Sequence, residues 1–140
     1  MPILTAASPV SEAIFGLLND ATLQTDVGGR IFDDIPQDTI RPCVLYEILT
    51  ETDIHGFGTG GLPELDLRTH VFSDVGSLSE AQSINKSIVA LLKDAAITVT
   101  GYTQCGLIFY RETVTLRSEE LFGQKVHEIV SLFTVFVEQS

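Results

Sequence analysis

Apolar residues recur at helical spacing near the start of the chain. Val10, Ile14, Leu17 and Leu18 fall on one stripe and predict a helix over Pro9–Asp20. Ser8 is placed to cap it, Pro9 suits the first helical position, and Glu12 lies near the positive end of the helix dipole. Asn19-Asp20 and the polar run to Asp26 interrupt that pattern, and Val27-Gly28-Gly29-Arg30 reads as a turn that uses the positive φ open to glycine. The period changes to two at Cys43. Over Cys43–Ile54, Val44, Tyr46, Ile48, Thr50 and Thr52 share one side, and Cys43, Leu45, Glu47, Leu49 and Glu51 share the other. Glu64–Ser73 alternates more cleanly: Leu65, Leu67, Thr69 and Val71 point one way, and Glu64, Asp66, Arg68 and His70 the other. The loop His55–Pro63, rich in glycine, joins these two strands into a long hairpin.

Ser77-Leu78-Ser79-Glu80 has the form of a capping box. The helix it opens carries Ala81, Ile84, Ile88, Leu91 and Leu92 on one stripe and runs to about Ala95. A short extended piece at Ile97–Thr100 ends at Gly101. Two further strands, Leu107–Leu116 and Val126–Glu138, flank a polar turn region over Arg117–Lys125. The last strand is apolar on both sides, which suits a central position or an interface. The predicted fold class is α+β: one domain over residues 1–140, with about four main antiparallel strands in one sheet and two amphipathic helices packed on one face. The far face must then meet water or another subunit, and Phe109, Leu132 and Phe136 are poorly suited to open water if they lie there.

With 140 residues, the chain is long enough to bury one core without staples. No apolar run approaches the roughly 20 residues that a membrane-spanning helix needs, and the first residues lack the basic stretch of a signal peptide. The net charge is −11 and unevenly placed, with 13 acidic against 3 basic residues in 1–80 and 6 against 5 in 81–140. Such a surface repels nucleic acid, which opposes direct phosphate binding; acidity for solubility is the simpler reading, and a channel to which DNA does not stick is compatible with it. Cys43 and Cys105 have no CxxC spacing and read as reduced, buried small hydrophobes.

The polar residues suggest little chemistry. His55, His70 and His127 share no metal-ligand spacing and read as surface or hydrogen-bonded side chains. Asp33, Asp34 and Asp38 offer hard oxygen ligands, but adjacent residues of an extended run point to opposite sides, so a solvated acidic turn is the simpler reading. GFGTGG at 56–61 lacks the strand–turn–helix context and the lysine of a phosphate loop. It reads as a hairpin tip, with Phe57 and Leu62 as its apolar contacts. No order of Ser, His and Asp suggests a catalytic triad. No cofactor, metal or catalytic residue is assigned, and no enzyme activity is expected.

Several strings, taken in order, resemble a known family. GGRIFDDIPQ from Gly28 leads through Pro36 and Pro42 into Val44-Leu45-Tyr46-Glu47. The strand Leu65–Phe72 follows, then EAQSINKSIVALL from Glu80, and the chain closes on Leu132–Phe136. This series resembles the tail-terminator, or tail-completion, proteins of long-tailed bacteriophages and prophages. Cys43 departs from the pattern, which more often has an aromatic residue after the proline.

The resemblance implies a structural virion protein without cofactors. It implies a ring, hexameric in such proteins, at the end of the tail tube. That ring stops tube polymerisation and meets the head-side connector, and DNA passes through it without specific binding. The implied partners are further copies of the chain, the tail tube protein and the connector or stopper protein. Candidate partner or subunit contacts are Phe57, Leu62, Phe109, Leu132 and Phe136, and Asp33, Asp34 and Asp38 are candidates for an acidic bore. The alternatives are another neck component, such as a stopper or connector subunit, and a small α+β enzyme or ligand-binding domain.

Overall fold

The computed structural model describes residues 7–34, 40–55, 61–74, 78–95, 97, 102–104, 108–116, 120–121 and 124–139. The first helix, α1, spans Ala7–Leu18, starting two residues earlier than its sequence pattern suggests and ending at the last apolar residue of the stripe. The polar run after it is a second helix, α2, over Ala21–Val27. Asp20, which breaks the first apolar stripe, is the N-cap of the next helix. Its extended backbone lets the carboxylate accept from the N–H groups of Thr22 at 3.1 Å and Leu23 at 3.3 Å. Leu23 and Val27, one turn apart, are buried beneath it. Gly28 closes α2 at φ 60°, and Gly29 follows at φ 77°, so the Gly-Gly turn is where the pattern places it.

The strands are β1 (Ile31–Phe32), β2 (Cys43–His55), β3 (Gly61–Ser73), β4 (Tyr102–Gln104), β5 (Phe109–Leu116), β6 (Glu120–Leu121), β7 (Gln124–Lys125) and β8 (His127–Gln139). The main sheet runs β1-β2-β3-β8-β4, and β5 also pairs with β8. β4 takes the last residues of β8, from Val137 on, while β5 takes Glu128–Thr134. The four long strands are each antiparallel to their neighbours, as expected, and the short β1 adds a parallel edge. β6 and β7 form a separate small hairpin within the expected turn region.

The third helix, α3, spans Ser79–Leu92. The expected capping serine, Ser77, lies outside the described residues. Leu78 stands at the N-cap without a side-chain cap, and the Glu80 carboxylate accepts from the Ser73 hydroxyl at 2.8 Å, tying α3 to the end of β3. Beyond the helix, Asp94 N–H donates to the Ile108 carbonyl and Ile108 N–H to the Ala95 carbonyl, which anchors the start of β5.

The core lies between the helices and one face of the sheet. Val10, Ile14 and Leu18 of α1 and Ile84, Ile88 and Leu92 of α3 pack over Val44, Leu65, Leu67, Ile129 and Phe133. One polar chain crosses this layer. The Tyr110 and Thr113 hydroxyls share a hydrogen bond, Thr113 and Ser131 share another at 2.9 Å, and Ser131 donates to Asn85 of α3 at 2.8 Å. Asn85 and Ser131 are buried but satisfied, so they pin α3 to β8 without leaving an orphan group.

Candidate assembly surface

The face of the sheet turned away from the helices divides in two. Its β2–β3 half is polar. His70 is nearly buried between two carboxylates, with Nε2 2.8 Å from Glu47 Oε1 and Nδ1 3.3 Å from Glu128 Oε1. The ring also stacks on Phe72. Arg68 Nε donates to the same Glu47 oxygen at 2.9 Å. Burial alone would push the Glu47 carboxyl up, but hydrogen bonds and positive charge from His70 and Arg68 outweigh it and hold the group below its ordinary value. The two carboxylates lie on opposite sides of the imidazole, an arrangement that braces the strands and does not converge on an ion. Among the described residues no group of three or more His, Cys, Asp and Glu side chains could hold a metal.

The β8–β5 half is apolar. Phe109 lies opposite Thr134, and its ring meets Phe136 edge-on at 5.7 Å between centroids. Leu132, opposite Glu112, continues the patch, and Val114 and Leu116 extend it along β5. Phe109, Leu132 and Phe136 therefore do share the far face, where their sequence positions suggest a subunit contact. Phe109 is half-exposed at 49%. The sequence marks these residues as apolar, but β8 is apolar on both sides, and its pairing with β3 and β5 is what places them on the far face. The division of the face into halves is not legible in the sequence either, because it depends on which strands become neighbours.

The remaining predicted residues lie elsewhere. Asp33 and Asp34 are exposed just after β1, at the opposite edge of the sheet from the Phe109 patch. Phe57 and Asp38 fall outside the described residues. Leu62 pairs with Ile54 across the hairpin, in the part of β3 nearest the tip. Beside Asp33, an open pocket of about 630 Å³ is lined by Ser11, Glu12 and Phe15 of α1 and by Tyr46, Glu47 and Ile48 of β2. The Tyr46 phenol is pushed up by burial and by the Asp33 charge, against a hydrogen bond with Ser11. This pocket escapes sequence reading because its two walls are far apart along the chain.

His127 is buried, and its Nε2 finds no hydrogen-bond partner among the described residues. Cys43 is buried and free, as expected. Burial pushes its thiol up against the pull of Arg41 and Arg30, which makes it a poor nucleophile. Cys105 lies outside the described residues, and the side chain of His55 is likewise not described.

The sequence model of a family described as "Tail completion protein gp17" matches residues 12–138. No protein with a curated description matches the chain. Among solved structures, a chain from the "Virion of native gene transfer agent (GTA) particle" superposes with a TM-score of 0.75 over 94% of this chain and 95% of that one, at 20% sequence identity. At that identity the likeness concerns the fold.

Proposed function

The chain belongs to the tail completion protein gp17 family, a structural component of the virion tail, and from that premise we propose that it terminates the tail tube. In this reading, copies of the chain form a ring, hexameric as in the tail terminators it resembles. The ring caps the growing tube, stops its polymerisation and presents its other side to the head-side connector or stopper. The work is geometric and involves no chemistry or cofactor. DNA passes through the centre during packaging and ejection.

The observation that carries this reading, beyond family membership, is the sheet face left without helices. Its Phe109, Leu132 and Phe136 patch is a poor surface for open water and a good one for a protein neighbour. Phe57 and Leu62 at the hairpin tip are the proposed contacts with the tail tube protein. Asp33, Asp34 and Asp38 are proposed to face the bore, where negative charge repels the DNA phosphates and reduces sticking.

Electron microscopy of particles from a producer whose copy of this gene carries an early nonsense codon tests the reading. Filled heads beside unattached tails of irregular, excessive length are expected. Tails of normal length that fail to join heads would move the chain to another neck position, such as stopper or connector. Intact, infectious particles would remove the structural role.

A further inference from the structure

Both lateral edges of the main sheet are open among the described residues. On one side, β1 meets only Val44 and Leu45, so β2 from Tyr46 to His55 has no outer partner. On the other, β5 pairs with β8 and with nothing beyond it. Among the described residues, six large apolar residues stay exposed, between 38% and 70%. Phe15, Ile40 and Leu49 lie on or beside β2, and Phe109, Val114 and Leu116 lie on β5.

We infer that neighbouring copies of this chain join head to tail by adding the outer edge of β5 in one protomer to the outer edge of β2 in the next, so that the sheet continues from subunit to subunit. The inference rests on the ring reading above and supplies its subunit contact.

Three features favour this occupant. The first is strand direction. Along β2, β3, β8 and β5 the strands alternate, so β5 runs opposite to β2. A copy placed beside the sheet in the same orientation therefore meets it with antiparallel strands, and the alternation carries on unbroken. The second is charge. Glu12 and Asp33 line the open pocket at the β2 edge, so two β2 edges would bring these acids together and repel each other. β5 has one acid, Glu112, and one base, Arg111, and brings no such repulsion. The third is form. Both edges carry a bulge, at Tyr110–Glu112 on β5 and at Ile48–Thr50 on β2; Val114 and Leu116 stay exposed on the regular part of β5, as Leu49 does in the β2 bulge. The contact is heterologous, the type of interface that generates a ring when its repeated rotation closes.

The test uses two variants of the full chain. Val114→Glu with Leu116→Glu spoils the β5 edge, and Leu49→Glu spoils the β2 edge. Circular dichroism and thermal melting check that both remain folded. In sedimentation velocity at rising concentration the wild type should associate, and each variant alone should lose that association. An equimolar mixture should recover one-to-one pairs, because each variant keeps the edge the other lacks. Association that persists in either variant, or a mixture that recovers nothing, overturns the edge pairing and leaves the ring reading standing.

If the free wild type stays monomeric, cross-linking within particles decides. Leu49→Cys with Val114→Cys, in a Cys105→Ser background, is supplied to the nonsense producer, and purified particles are treated with a short bismaleimide. A ladder of covalent multimers is expected. A chain present in the particles but not cross-linked overturns the edge pairing. A chain absent from finished particles overturns the ring reading itself.

Discussion

The same strands carry two different surfaces. On the helix side, Leu65, Leu67, Ile129 and Phe133 are withdrawn from water under α1 and α3. One position along, on the open side, Arg68 sits in an ion pair, and Leu132 and Phe136 remain only half-buried. The covered face holds the domain together, because burial there is complete and each apolar side chain gains its full transfer energy. The open face gains only part of that energy in the single chain. Its aromatic residues make better physical sense as groups that finish their burial against a neighbour.

Substitutions can break this comparison, and the largest effect is expected on the covered side. Phe133→Ala removes a fully buried ring and leaves a cavity, at a cost of roughly 3–5 kcal/mol. Denaturant unfolding of the purified chain measures it, and a loss under about 1 kcal/mol would mean the layer is not packed as described. Asn85→Leu is next. It takes the acceptor from the buried Ser131 hydroxyl at the junction of α3 and β8, and about 1–3 kcal/mol should be lost in the same assay.

Glu47 on the open side should show itself through pH. Its folded carboxyl lies below the ordinary value, so its contribution is fully present above the unfolded carboxylate range and disappears as pH falls through the folded value. Glu47→Gln should therefore reduce stability near neutrality and flatten the stability–pH curve across the acidic range. An unchanged acid limb would show that the His70 and Arg68 contacts do not hold this carboxylate. The smallest change in stability is expected for Val114→Thr on the β5 edge, within about 0.5 kcal/mol. A large loss there would place β5 in the folding core and remove the contrast between the faces.

Much of this architecture is legible along the chain because its signals are local. The stripe Ala81, Ile84, Ile88 and Leu92 marks α3, and the alternation from Leu65 to Val71 marks β3. The helix α2 was also within reach. Asp20, then Leu23 and Val27 one turn apart, then Gly28, form a capped short helix, but its polar composition hides the two-residue stripe. Glu80 shows the reverse, since its local capping-box pattern does not disclose its bond to Ser73, six positions before the helix begins.

By itself the sequence determined α1, α3 and the four long strands, which side of β3 is apolar, and that the acidic residues gather in the first part of the chain. These follow from periodicity and composition, which are properties of neighbouring residues. Only the tertiary structure decided that β8 lies between β3 and β5, that His70 is clasped by Glu47 and Glu128 from different strands, and that the exposed apolar residues collect at two opposite sheet edges. Each of those facts joins segments far apart in the chain, and strand order is chosen by the burial of the whole core.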